Sequence, residues 1–167
     1  MNLLRFSQKE REIQEPAVEE LLKGDLIERT NSPWNTRAVL VRKPDGNWRF
    51  CIDYRQLNEI LEVPTTPLPK IEEAISVVGS GKHFSTMDLT SGFFQVMLEE
   101  SSRSMTAFTS SSGQYRWKRL PMGAASSAQV FQGLMMEVLH QYLWKDLVVY
   151  MDDIIVFHKE AKQHVQL

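Results

Sequence analysis

The chain has 167 residues, 43% of them hydrophobic and 24% charged, with a formal net charge of -2. That length fits one globular domain, or one with a small subdomain, and supplies enough apolar residues for a core. The single cysteine, Cys51, excludes an internal disulfide and fits an intracellular compartment, cytoplasmic or nuclear. No apolar run approaches a membrane span, residues 1–11 are too polar for a secretory signal, and no membrane partner is expected.

The small net charge hides an uneven distribution. Residues 29–55 carry Arg29, Arg37, Arg42, Lys43, Arg49 and Arg55 against Asp45 and Asp53, and residues 103–119 carry Arg103, Arg116, Lys118 and Arg119 with no acid. These are either two basic surfaces that track phosphates or ordinary solvated faces.

Residues 7–23 read as a helix. Ser7 and Glu10 have capping-box spacing, Ile13, Ala17 and Leu21 form a stripe beside Val18 and Leu22, and Gly24 stops it. Strands follow over 38–42 and 48–52, joined by Lys43-Pro44-Asp45-Gly46-Asn47, where Asp-Gly signals a hairpin. Lys43 and Arg49 sit on opposite arms near its tip, where two cations suit a triphosphate or make a merely basic surface. Val63 to Pro69 holds three prolines and reads as an extended strap between two subdomains. Residues 69–78 then form a short helix with Ile71, Ala74, Ile75 and Val78 inward.

Residues 82–89 read as a strand ending at Asp88. Asp88 is followed by Thr90-Ser91-Gly92-Phe93, so it is either a helix cap or a metal ligand at a strand end. His83 has no spaced partner and reads as a packed or surface histidine. Strands are expected over 94–98, 106–109 and 115–118, then a restricted loop at Leu120-Pro121-Met122-Gly123. A helix runs from Ser126 or Ser127 to Leu143, with Phe131, Leu134, Met135, Val138, Leu139 and Tyr142 as its apolar stripe. Finally, Leu147 to Phe157 places Asp152-Asp153 between two apolar strands, as the turn of a hairpin. Two adjacent anions on a tight turn repel each other and either call for a counter-charge or, as in most Asp-Asp turns, face solvent.

An antiparallel sheet backed by helices would bring Asp88 beside Asp152 and Asp153. Carboxylates so arranged can hold two divalent ions about 4 Å apart, the geometry that clamps an in-line phosphoryl displacement. All-oxygen ligation favours Mg²⁺ or Mn²⁺. Strand alternation keeps Asp152 and Asp153 from aiming the same way unless the turn redirects one.

Several segments match a known pattern in order. They are Ser32-Pro33-Trp34, Lys43-Pro44-Asp45-Gly46-Asn47-Trp48-Arg49, Asp53-Tyr54-Arg55-Gln56-Leu57-Asn58, Phe84-Ser85-Thr86-Met87-Asp88-Leu89, Ser91-Gly92-Phe93-Phe94-Gln95-Val96, Thr106-Ala107-Phe108, Leu120-Pro121-Met122-Gly123 and Tyr150-Met151-Asp152-Asp153. From about Lys9 to His158 the chain resembles the fingers and palm of reverse transcriptases from gypsy-type long-terminal-repeat retrotransposons.

The resemblance implies an α+β fold with fingers over about 1–80 and 100–120 and palm over about 81–99 and 121–160. It implies an RNA-directed DNA polymerase that extends a primer on an RNA or DNA template with deoxynucleoside triphosphates and two Mg²⁺ or Mn²⁺ ions. Asp88, Asp152 and Asp153 match the catalytic metal ligands. Lys43, Arg49, Leu89 and Met122 match nucleotide-binding positions, Phe93 the ring that excludes a 2′-hydroxyl, and Tyr150 and Met151 residues near the primer end. Met105 stands where the family usually has Lys, and Gln129 where it has a helix-opening Pro. The family continues into thumb, connection and RNase H domains that do not fit after Leu167, so the synthesis expected is weak and poorly processive or absent; the competing expectation is a non-catalytic nucleic-acid-binding relic. A two-metal nuclease would use similar carboxylates but gives Lys43, Arg49 and Phe93 no purpose.

Overall fold

The computed structural model describes residues 6–64 and 69–166. In chain order the elements are α1 (Gln8–Lys23), β1 (Ile27–Arg29), β2 (Thr36–Arg42), β3 (Trp48–Ile52), α2 (Arg55–Asn58), α3 (Ile71–Val78), β4 (His83–Asp88), α4 (Glu100–Arg103), β5 (Phe108–Ser110), β6 (Gly113–Trp117), α5 (Ala125–Val138), β7 (Leu147–Tyr150), β8 (Asp153–His158) and α6 (Ala161–Gln166). The chain divides into two compact units, one of residues 1–61 and 93–124 and one of residues 62–92 and 125–167. Among the described residues, no helix is long and apolar enough to cross a membrane.

The first unit is built on a five-stranded sheet in the order β1-β6-β5-β2-β3. Its pairings are antiparallel except β2 with β5, which run parallel through Thr36 opposite Phe108 and Arg37 opposite Thr109. Helix α1 starts where the sequence places it: the Glu10 N–H donates to the Ser7 hydroxyl, and the Ser7 N–H donates to the Glu10 carboxylate. The apolar side of this unit closes around Val18, Ile27, Ala38, Tyr54, Leu57, Phe108, Tyr115 and Trp117. Burying each large apolar side chain contributes about 1.5–3 kcal/mol. The Tyr54 hydroxyl donates to the Thr106 carbonyl at 2.7 Å, so the core's phenol is not left unpaired.

The expected strand over 94–98 is a one-turn 3₁₀ segment, Gly92–Gln95, followed by an isolated bridge between Met97 and Arg119. Phe94 stacks on Trp117 at 5.2 Å between ring centroids, and that aromatic packing accounts for its apolar character. The expected strands over 106–109 and 115–118 are shifted to β5 and β6.

The expected basic surface over 103–119 is largely neutralised by acids from elsewhere in the unit. Arg116 reaches Glu28 at 2.7 Å and Glu100 at 2.6 Å, Arg103 reaches Glu100 at 2.7 Å, and Lys118 reaches Asp25 at 2.5 Å.

The second unit holds an antiparallel sheet in the order β4-β8-β7, with the long β4–β8 pairing running from His83 opposite His158 to Asp88 opposite Asp153. Leu147, Val148, Val149, Ile154, Val156 and Phe157 are buried, and α5 adds Phe131 and Met135. That helix begins at Ala125, before the expected Ser126 or Ser127, and stops at Val138 rather than Leu143. Beyond Val138 the chain passes through successive turns to Trp144, whose φ of 65° is incompatible with a continuing helix. Leu134 and Val138, expected inward, are exposed. In α3 the expected inward residues are not sealed; Ile71, Ile75 and Val78 line an apolar cavity of about 410 Å³ with Phe84, Val148 and Tyr150. The polar tail forms α6, tied to the sheet by His164, which bonds Ser85 at 2.8 Å and His158 at 3.2 Å. His83 is exposed at the start of β4. Of the expected proline strap, Thr65 to Leu68 lie outside the described residues.

Candidate active site

Strand register brings the predicted carboxylates to one end of the β4-β8-β7 sheet. Asp88, the last residue of β4, faces Asp153, the first of β8, and Asp153 also faces Tyr150 at the end of β7. Directly paired residues present their side chains on one face, so Asp88, Asp153 and Tyr150 share a face. Asp152 occupies the turn, where it escapes strand alternation. Its carbonyl accepts the Leu89 N–H at 3.1 Å, which ties the chain just past Asp88 to the hairpin tip.

The hairpin has a two-residue loop, Met151-Asp152, and Met151 takes φ = 52°. Such loops favour Gly, Asn or Asp where φ is positive, so a methionine there is strained. The Met151 N–H donates to Gln132 Oε1 at 2.7 Å, and Gln132 Nε2 donates to the Val149 carbonyl at 3.2 Å. Gln132 is fully buried. The Asp152 Oδ1 atom is also buried and has no hydrogen-bond partner. A Cβ built on Gly92 would lie 2.5 Å from that oxygen and 2.8 Å from Phe131 Cζ, so only glycine leaves room for the carboxylate. Burial, then the charges of Asp88 and Asp153, push the Asp152 carboxyl above the ordinary carboxylate range.

Among the described residues, none of the ion pairs involves Asp88, Asp152 or Asp153. Nor do any three His, Cys, Asp or Glu side chains there form a ready-made metal cage. The donor set fits a hard divalent cation: oxygen ligands only, one of them a buried carboxyl oxygen lacking any donor.

Lys43, Arg49, Phe93 and Met122 belong to the first unit. The β2–β3 register sets Val41 opposite Arg49, and the Lys43 N–H donates to the Asn47 carbonyl at 2.8 Å, so Lys43 and Arg49 point to one face of the hairpin. Gly46 supplies the positive φ (85°) that the tip requires. Arg42, Lys43 and Arg49 make none of the ion pairs among the described residues, so this hairpin keeps its charge where the 103–119 cluster does not. Phe93 is half-buried in the 3₁₀ segment and Met122 is exposed.

Residues 41–167 match the family described as reverse transcriptase (RNA-dependent DNA polymerase). The chain belongs to the reverse transcriptase family. It is 38% identical over 156 residues to the retrovirus-related Pol polyprotein from transposon 297 of Drosophila melanogaster, covering 90% of this chain and 15% of that protein. It is 35% identical to the corresponding polyprotein from transposon gypsy, covering 89% of this chain and again 15% of the relative. Among solved structures, a foamy viral protease-reverse transcriptase in complex with an RNA/DNA hybrid matches 99% of this chain with a TM-score of 0.87 at 26% identity, over 22% of its own length. The chain thus spans a small part of the reverse transcriptase polyproteins that it matches.

Of the two departures from the reverse transcriptase pattern, the structure explains Met105 and does not explain Gln129. Met105 packs against the apolar cluster of the first unit, a place for a thioether rather than a charge. Gln129 lies inside α5, which starts without a proline, and its Oε1 is buried without a partner. Gln132 and Gly92 carry no role in the sequence reading. A lone Gln beside an apolar helical stripe looks like a surface residue. Gly92 had a signal, the small residues after Asp88, that gave no partner.

Proposed function

We propose that this chain is the fingers and palm of an RNA-directed DNA polymerase that adds deoxynucleotides to a primer 3′-hydroxyl on an RNA or DNA template. The observation that carries the reading is the Asp88–Asp153 pairing beside the turn that bears Asp152. The fingers take in about residues 1–80 and 100–120 and the palm about 81–99 and 121–160, a division close to the two compact units except that residues 62–80 fall in the second. Asp88, Asp152 and Asp153 would hold two Mg²⁺ or Mn²⁺ ions. Bound ions of this kind lower the pKa of an attacking hydroxyl and stabilise charge on the phosphoryl and leaving oxygens. The chain's own residues bind and orient the substrates. Lys43 and Arg49 grip the triphosphate, a polyanion that two cations on one hairpin face suit. Phe93 excludes a ribose 2′-hydroxyl by bulk, Leu89 and Met122 line the nucleotide site, and Tyr150 and Met151 bear on the primer end. Further domains of the polyprotein, a thumb and an RNase H domain, hold the duplex and degrade the template strand.

The experiment is primer extension on poly(rA)/oligo(dT) with Mg²⁺. The chain is expected to extend the primer, and Asp152→Asn to lose extension by about 10²-fold or more, the scale of removing one preorganised charge-stabilising group. Extension that survives the substitution would remove the mechanism.

A further inference from the structure

We infer that Gln132 is a positioning residue: its buried side-chain amide braces the Met151–Asp152 turn and so sets where the Asp152 carboxylate stands. The consequence for metal binding rests on the polymerase reading; the brace itself does not.

A primary amide brings one acceptor and two donors, and burying it costs free energy unless they are used. Gln132 uses both ends on backbone atoms that flank Tyr150. Its oxygen takes the Met151 N–H at 2.7 Å and its nitrogen donates to the Val149 carbonyl at 3.2 Å. The partners fix which end is which, since only an oxygen can accept from an N–H. An apolar side chain of the same size would leave a buried carbonyl and an N–H unpaired at the tip.

The braced residue is the strained one. Met151 has φ = 52°. The left-handed region costs a non-glycine residue about 1–2 kcal/mol, and such a setting persists only where surrounding contacts over-determine it. The Gln132 bond falls on that residue's own amide. Asp152 follows directly, with its buried Oδ1 lodged where Gly92 has no Cβ and beside Phe131, the neighbour of Gln132 on α5. One helix turn therefore supplies both the backbone latch of the turn and a wall of the carboxylate niche. If the turn relaxed to an ordinary φ, the Asp152 carboxylate would swing out of that niche.

The test uses the whole chain with Mn²⁺ as the probe. Gln132→Leu removes both bonds; Gln132→Met, closer in shape, carries the same test if the leucine variant does not fold. In the metal-free chain the Met151 amide is expected to exchange with solvent about tenfold faster in the variant, the effect of one lost hydrogen bond, while the Val156 and Phe157 amides of β8 stay protected. Mn²⁺ affinity, read by electron paramagnetic resonance, is expected to fall about tenfold or more, the usual scale for losing a group that orients a ligand. Adding Met151→Gly to Gln132→Leu is expected to restore much of that affinity, because glycine takes a positive φ unaided.

Unchanged Met151 exchange in the Gln132 variants overturns the brace. Lost Mn²⁺ affinity that Met151→Gly does not recover also overturns it, since a general core defect would then be the cause. A wild-type chain that binds no Mn²⁺ contradicts the polymerase reading instead, and amide exchange still decides the role of Gln132.

Discussion

Asp152 carries the least comfortable charge in the second unit. Burial and the neighbouring Asp88 and Asp153 raise its carboxyl pKa, so the native state binds a proton there more tightly than the unfolded chain does. The stability this contributes is full below the ordinary carboxylate range and is lost as pH rises through the raised value. Ionising Asp152 therefore costs the metal-free fold more than it costs the unfolded chain. Asp152→Asn is expected to raise the Tm of the metal-free chain by about 2 °C, near the low end of what about 1 kcal/mol does at this length, while abolishing extension. A thermal melt in chelator measures it, and a lowered Tm would contradict the account. Gly92→Ala should do the opposite: its Cβ meets Asp152 Oδ1 and Phe131, and overpacking costs about 1–3 kcal/mol by denaturant titration. At this scale the meeting of the acids was legible, since Asp88 pairs with Asp153 beside the turn that bears Asp152, although an Asp-Asp turn alone is more often merely solvated. Gln132 was not, because its partners are backbone atoms of a strand that spacing along the helix says nothing about.

Elements were legible where the signal is local. The Ser7–Glu10 box, the Asp45-Gly46 turn and the apolar runs of β7 and β8 each specify their own structure. Ser7→Ala is expected to cost about 1 kcal/mol, seen as a lower denaturation midpoint. Asp53 is a second local device. Arg55 grips it through Nε at 2.8 Å and a terminal nitrogen at 2.6 Å, which holds its carboxyl down at about 2. Its contribution to stability is complete above the ordinary carboxylate range and is lost only as pH falls through about 2. Titration of the Asp53 carboxyl by NMR checks this, and Arg55→Ala, which keeps the Arg55 backbone N–H bond, should raise it toward the usual range. Non-local features were hidden. The parallel β2–β5 pairing joins segments whose patterns do not name their partners, and the 94–98 run is too short for its period to separate strand from turn.

Across the molecule, counts of charge along the chain misjudged which cations are available. Arg103, Arg116 and Lys118 look like a basic surface in sequence but pair with Glu100, just outside that stretch, and with Glu28 and Asp25, which lie far from them along the chain. On the β2–β3 hairpin Arg37 pairs with Glu10, but toward the tip Asp45 bonds Asn47 and no acid pairs with Arg42, Lys43 or Arg49 among the described ion pairs. Family membership was legible because many weak motifs occur in one order, which no single element needs for its own stability. The central claim is that Asp88, Asp152 and Asp153 together hold two divalent ions. Its most direct test is the Mn²⁺ stoichiometry of the chain with primer-template and a non-hydrolysable deoxynucleoside triphosphate, read by electron paramagnetic resonance. The account predicts about two ions per chain, lost on Asp152→Asn. Binding that the substitution leaves unchanged, or no Mn²⁺ bound at all, would contradict it.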